Sequence, residues 1–311
     1  MTNTHLAIVF PGQGSQSVGM LADVAPQFPI IQATFAEASS VLGYDLWQMS
    51  QVGPAEALDK TVHTQPALLA ASYALWRILQ TEQSFAPAML AGHSLGEYTA
   101  LVCANAIDFV DAIKLVAARG EYMQDAVLPG VGAMAAIIGL DEKVVADICR
   151  QSISAADEVL TPANYNSLGQ VVISGHREPV ERAIILAKEQ GAKIAMLIPV
   201  SVPSHCELMR PAAERLRALL AIMTLRTPTI PVLNNVNVVP YANADAIRQG
   251  LVQQLYMPVR WVETIQAFVK AGITQVIECG PGKVLTGLNK RIDKELQLTT
   301  AVELLDERRL G

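Results

Sequence analysis

The chain has 311 residues, which at roughly 150 residues per domain corresponds to about two units. Hydrophobic residues make up 51% and charged residues 17%, enough apolar matter for a sizeable core, and this excludes intrinsic disorder. A net charge of −6 and only 5% aromatics exclude a global electrostatic grip on nucleic acid and argue against a base-stacking surface, leaving room only for a local basic patch.

Leu6 to Phe10 is a short apolar run that reads as a buried strand, and it stops at Pro11-Gly12-Gln13-Gly14. The residues before it, Met1 to His5, lack the basic region and long apolar stretch of a signal peptide. No run of about 18 apolar residues exists anywhere in the chain, so no membrane span is expected. Gln65 to Glu82 reads as a helix with Thr64 as its N-cap and Pro66 in its first turn. Pro87 to Ala91 is a second buried strand, and helices are expected over Leu95–Asn105 and Asp108–Ala126. This alternation indicates an α/β domain with a mostly parallel sheet.

The rhythm changes after Pro129-Gly130. Ala133–Gly139 reads as a strand, Glu142–Gln151 as a helix, Leu160–Ser167 and Gln170–Ser174 as two strands, Pro179–Gln190 as a helix and Lys193–Val200 as a strand. That β-α-β-β-α-β order is the split pattern of a ferredoxin-like unit. The expected organisation is therefore a large α/β domain, residues 1–128 and 201–311, with a small domain at 129–200 inserted into it. Beyond Pro203 the α/β pattern resumes. Helices are expected within Pro211–Met223 and at Asp245–Tyr256 and Val262–Ala271, with short strands at Ile230–Asn234 and Gln275–Cys279. Cys103, Cys149, Cys206 and Cys279 are scattered and form no C-x-x-C pair, which gives no support to a zinc or dithiol site and fits a reducing, cytoplasmic setting.

The strongest chemical signal is Gly92-His93-Ser94-Leu95-Gly96, set between a predicted strand and a predicted helix. That is the context of a Gly-x-Ser-x-Gly nucleophile elbow, in which the serine sits on a strained turn and the flanking glycines leave space that a Cβ would fill. Ser94 would then lie at a helix N-terminus, with the Leu95 N–H aimed where an oxyanion forms. A serine nucleophile needs a base. His93 is adjacent to Ser94 on a turn where neighbouring side chains diverge, and His5, His63 and His176 lie at positions remote from the elbow. His205 re-enters the large domain after a strand and the turn Pro203-Ser204, near the strand ends where open α/β sheets place their sites, and elimination selects it.

Arg119 is a charge out of place. On the helix Asp108–Ala126 it shares a stripe with Ala112, Leu115, Val116, Tyr122 and Met123, where an unpaired cation is costly. A structural salt bridge, a guanidinium reaching to water, or a carboxylate arriving with substrate would each answer that cost. The loop Gly12 to Ser17 matches a dinucleotide fingerprint only in part, since Ser17 occupies its sixth position, and it could instead supply a backbone N–H opposite Ser94.

At these residues the sequence resembles the malonyl-CoA:acyl carrier protein transacylases. The matching segments include Val9 to Gln16, Thr64 to Ala67, Gly92 to Glu97, Arg119-Gly120, Asn164 to Ser167, Pro203-Ser204-His205, Asn234 to Val236, Gln254 to Tyr256, Pro258 to Trp261 and Glu278 to Gly282. The resemblance implies an α/β-hydrolase-like large domain with a ferredoxin-like insertion, and transfer of malonyl from malonyl-CoA to acyl carrier protein through a serine ester. It implies Ser94 as nucleophile, His205 as base, Gln254 as the residue whose main-chain carbonyl holds the histidine, and Gln13 and Leu95 as oxyanion donors. Arg119 is implied as the binder of the malonyl carboxylate, with Gln65, Asn164 and Asn166 lining the cleft. No metal or redox cofactor is implied. Two other readings stay open on the residues alone: a serine esterase or thioesterase built on the same elbow, and a dinucleotide-binding module built on the Gly12 loop.

Overall fold

The computed structural model describes residues 3–82, 86–200 and 202–307; the outer ends of the expected domain segments, 1–2 and 308–311, and their join at 201 lie outside these. In chain order the elements begin with β1 (Asn3–Phe10), α1 (Ile30–Leu42), α2 (Leu46–Val52), α3 (Ala55–Leu58), α4 (Thr61–Glu82), β2 (Pro87–Gly92), α5 (Gly96–Cys103) and α6 (Phe109–Asp125). The middle of the chain holds β3 (Gly132–Ile138), α7 (Glu142–Gln151), β4 (Leu160–Ser167), β5 (Gln170–His176), α8 (Arg177–Glu189) and β6 (Ile194–Leu197). The remainder holds α9 (Arg210–Ile222), β7 (Val232–Leu233), α10 (Ala244–Gln254), α11 (Trp261–Lys270), β8 (Gln275–Glu278), α12 (Val284–Ile292), β9 (Gln297–Thr300) and α13 (Ala301–Glu307).

These strands form two separate sheets. One is five-stranded and parallel, in the order β7-β2-β1-β8-β9, and the other is four-stranded and antiparallel, in the order β4-β5-β3-β6. The central strand β1 is buried on both faces, with Ala7, Ile8, Val9 and Phe10 fully covered, as its uninterrupted apolar run requires. Helices α4, α5, α6 and α9 pack against one face of the parallel sheet around Ile8, Phe10 and Leu90. Trp261, Ile265, Phe268, Leu285 and Leu288 cover the other face. In the antiparallel sheet, Ala135, Ile137, Val171 and Ile173 meet Val145, Ile148, Val180 and Ala183 of α7 and α8. Its opposite face carries Met134 and Val172, which join Ala163, Ile198 and Val200 in a small apolar cluster.

Several boundaries move relative to the sequence reading. Thr64 is not the N-cap of its helix, because α4 begins at Thr61. The Thr64 hydroxyl instead bonds back to the Leu58 and Lys60 carbonyls, and Pro66 lies inside the helix. The strand expected over Lys193–Val200 narrows to β6, which pairs with β3 alone at the sheet edge, and that over Ile230–Asn234 narrows to the two residues of β7. Helices α1, α2 and α3 fill a stretch to which the sequence reading gave no element. Ile31, Phe35 and Ala38 of α1 form a buried stripe at helical spacing that the periodicity could have revealed.

Candidate active site

The turn from β2 into α5 places Ser94 at a backbone φ of +51°, in the left-handed region that an L-residue enters only under constraint. The constraint is close backbone packing. A Cβ on Gly92 would overlap the Gly96 backbone, and one on Gly96 would overlap the Phe10 carbonyl of β1. The loop after β1 presses on the same turn, since a Cβ on Gly12 would lie 2.5 Å from the His93 carbonyl oxygen. That glycine is used for contact with the elbow, which removes the motive for reading this loop as a dinucleotide cradle.

His205 meets the elbow from the segment that returns from the antiparallel sheet, and it too has a positive φ, +61°. Its Nε2 lies 2.9 Å from Ser94 Oγ and its Nδ1 2.7 Å from the Gln254 main-chain carbonyl. A carbonyl only accepts, so the neutral ring carries its proton on Nδ1 and turns the Nε2 lone pair toward the serine hydroxyl. Burial pushes the His205 pKa down to about 3, and the Arg119 charge beside it acts in the same direction.

Arg119 projects from α6 into the same space and is 2% exposed. Its Nη1 donates to Gln65 Oε1 at 2.9 Å, and its Nη2 to Gln254 Oε1 at 3.0 Å and to Ser94 Oγ at 3.3 Å. The guanidinium carbon stands 5.2 Å from the centre of the Tyr98 ring. No carboxylate pairs with it among the described residues, and its buried Nε has no acceptor there. Of the answers to its cost that the sequence left open, the structural salt bridge is therefore excluded.

A cleft of about 190 Å³ opens above these groups, between the two sheets. Gln13, Gln65, Ser94, Leu95, Arg119 and His205 line it from the parallel-sheet side. Asn164, Asn166, Met134 and Val172 line it from the other. The main-chain N–H groups of Gln13 and Leu95 donate to no acceptor among the described residues. Gln254 is the one expected site residue set back from the cleft wall: it is fully buried beneath the elbow and reaches Ser94, His205 and Arg119 from behind.

The sequence reading gave no role to three features of this site. Asn235 accepts the Ser94 N–H at 2.8 Å and donates to the Gly92 carbonyl at 2.7 Å, stitching the elbow to the segment after β7. His93 turns away from Ser94 and bonds Asn166 Oδ1 at 2.8 Å, linking the two sides of the cleft. Glu97 is completely buried, three residues after Ser94. Its signal was available, since it is a charged residue in the otherwise uncharged, wholly buried helix α5. Among the described residues no group of three or more His, Cys, Asp or Glu is placed to hold a metal ion.

The family model described as "Acyl transferase domain" matches residues 7–303. Malonyl CoA-acyl carrier protein transacylase of Escherichia coli strain K12 is 58% identical over 289 residues, 93% of each chain. The protein of the same name from Bacillus subtilis is 42% identical over 94% of this chain and 92% of its own. An acyl carrier protein S-malonyltransferase from Vibrio cholerae superposes with a TM-score of 0.93 at 54% identity, covering 97% of this chain and 99% of that one. A malonyl-transacylase solved in complex with its type II polyketide acyl carrier protein superposes at 0.92, with 54% identity over 95% and 94% of the two chains. With the matches running nearly end to end, the chain belongs to the malonyl CoA–acyl carrier protein transacylase family of acyl transferases.

Proposed function

We propose that the chain transfers a malonyl group from malonyl-CoA to the phosphopantetheine thiol of acyl carrier protein, by ping-pong chemistry through a malonyl ester on Ser94. The observation that carries this reading is a serine hydrogen-bonded to a histidine in one cleft with a buried guanidinium that has no carboxylate partner among the described residues. His205 Nε2 takes the Ser94 proton as Oγ attacks the thioester carbonyl, and Gln254 holds the resulting imidazolium through its Nδ1–H. The Gln13 and Leu95 amides receive the tetrahedral oxyanion. Collapse expels the CoA thiol, which takes the proton from His205 and leaves malonyl-Ser94. The carrier thiol then enters, gives its proton to His205, and the same steps run in reverse.

Arg119 takes the malonyl carboxylate in two parallel charge-assisted hydrogen bonds. Gln65 holds the guanidinium in place, while Asn164 and Asn166 shape the opposite wall. The carboxylate also offsets the Arg119 charge that depresses His205, so a malonyl substrate strengthens the base that acts on it. An acetyl group lacks both effects.

The β-α-β-β-α-β order of β3 to β6 supports reading 129–200 as a ferredoxin-like insertion in an α/β-hydrolase-like domain made of 1–128 and 201–311. The four buried cysteines are all free, which supports a cytoplasmic location, and no described helix is long and apolar enough to cross a membrane. Intact-mass measurement after mixing with malonyl-CoA tests the function. A malonyl adduct that moves to carrier protein is the expected result. Steady release of free malonate would identify a thioesterase instead, and no adduct at all would refute the reading.

A further inference from the structure

Glu97 is a buried ionisable group that the mechanism above leaves unused. It stands in the first turn of α5, three residues after the nucleophile and fully covered. Its Oε2 accepts the Asn235 main-chain N–H at 2.9 Å and Gln254 Nε2 at 3.0 Å, and its Oε1 accepts the Tyr241 hydroxyl. A carboxylate this deep is costly unless donors surround it, and here they come from three separate positions in the sequence.

Two of these donors belong to residues that hold the site together. The Asn235 side chain fixes the two ends of the Ser94 peptide turn. The Gln254 amide is more telling, because an amide can point either way. Its Nε2 lies among three acceptors, Glu97 Oε2, the Ser94 carbonyl at 2.9 Å and Asn235 Oδ1 at 3.3 Å. With the NH₂ group committed there, Oε1 must face Arg119 Nη2. A flipped amide would set its NH₂ against the guanidinium and its oxygen against the Glu97 carboxylate. Of those three acceptors only Glu97 can carry a full negative charge.

We propose that Glu97 is a positioning residue for acyl transfer, whose carboxylate locks the orientation of the Gln254 side chain and so aims Arg119 and steadies the segment that holds His205. The inference rests on the reading of Ser94 as acyl carrier. Burial drives the Glu97 carboxyl up to about 7, against the opposing hydrogen bonds from Tyr241, Asn235 and Gln254 and the Arg119 charge.

Glu97→Gln keeps the shape but removes the charge that orients the Gln254 amide. Displacement of a catalytic group by this route is expected to lower kcat for malonyl transfer by about 10²-fold. Loss of Arg119 alignment should lower the malonyl-to-acetyl ratio of kcat/KM by about tenfold. Because Glu97 acts through the Gln254 amide, Glu97→Gln should cost less than about threefold more in a Gln254→Leu background. A merely structural Glu97 would lower the melting temperature, leave the acyl ratio unchanged and add its full effect to Gln254→Leu; that result overturns the proposal. If Glu97→Gln does not fold, Tyr241→Phe carries the test, since it retains the ring and removes one donor to Oε1. A lowered acyl ratio in that variant supports the proposal, and an unchanged ratio overturns it. Labelling of Ser94 by a fluorophosphonate probe and malonyl-adduct formation are followed in parallel on the wild type. If the wild type forms no adduct, the acyl-transfer reading falls and this inference with it; if it forms one and Glu97→Gln behaves normally, only this inference falls.

Discussion

The parallel-sheet region and the antiparallel-sheet region meet at the same cleft but contribute to it in different ways. From the parallel side come the elbow, Arg119 and Gln254, held by buried hydrogen bonds and by backbone contacts too close for a Cβ. From the antiparallel side come Met134, Val172, Asn164 and Asn166, a wall of modest apolar residues and two amides. The two sides are joined by few directional contacts. Tyr165 N–H meets the Val259 carbonyl and Val259 N–H the Ala163 carbonyl, each at 2.9 Å, and His93 bonds Asn166. Reacting atoms need sub-ångström placement, and on the proposed mechanism the first region supplies it through over-determined packing while the second supplies shape. Substitutions should therefore have steep effects on one side and shallow ones on the other.

The largest expected effect is at Ser94. Ser94→Ala should abolish the malonyl adduct and lower transfer by about 10³–10⁶, with the fold intact. Intact mass and a melting curve check both halves. A malonyl adduct on another residue of the variant would dissolve the comparison, because the reacting atom would then lie elsewhere.

Arg119 should come next. Hydrogen bonds to a charged partner contribute about 1.5–3 kcal/mol each, so two of them favour malonyl over acetyl by about 10²–10⁴. Arg119→Ala should lose malonyl transfer by that order while acetyl transfer gains relative to it. Arg119→Lys should recover only part, since it keeps the charge but not the planar fork. Steady-state kcat/KM for malonyl-CoA and acetyl-CoA measures the ratio, and an unchanged ratio would remove Arg119 from substrate binding.

The same asymmetry governs what was legible in the sequence. Ser94, its two glycines and the Leu95 amide form a local motif whose sterics are written in five consecutive residues. Arg119 was visible as a cation on an apolar stripe. The alternation of short apolar runs and helices indicates the two sheets, though not the edges: β6 ends at Leu197, paired with β3 alone, and α4 starts at Thr61, with the Thr64 hydroxyl bonded to the earlier Leu58 and Lys60 carbonyls. The buried network was not legible as a network. Gln254 lies 160 residues from the Ser94 carbonyl it contacts, and Asn235 lies 141 from the Ser94 amide. Their roles depend on which way an amide points, and spacing carries no such information.

His205 sharpens the comparison through pH. His205→Ala should slow acylation by about 10²–10⁴, the scale of general-base catalysis. Because the folded histidine titrates near 3 against an ordinary value of 6.5, the unfolded chain takes up this proton first as the pH falls. Its contribution to stability is therefore fully present above 6.5 and is lost as the pH drops from there toward 3. His205→Gln should flatten that part of the dependence of melting temperature on pH. A variant with the wild-type slope across this window would place the buried base in a wetter setting than its geometry describes.

The smallest effect should come from the antiparallel side, at Asn166. Its Oδ1 accepts from His93 Nε2, a bond across the cleft that does not involve Ser94. Burial holds the His93 pKa down, and Asn166 works against that shift, so Asn166→Ala should deepen it and keep the ring neutral. Net loss of one hydrogen bond contributes about 0.5–1.5 kcal/mol, which corresponds to roughly a two- to tenfold change. If the small region acts by shape, that change should fall on KM for malonyl-CoA while kcat and the malonyl-to-acetyl ratio stay near wild type, since Arg119 and His205 keep their supports on the other side. Uniform binding lost in this way raises KM alone. A fall in kcat as large as that of Arg119→Ala would mean that the His93–Asn166 link holds the elbow itself, and the division between a side that reacts and a side that shapes would fail at that bond.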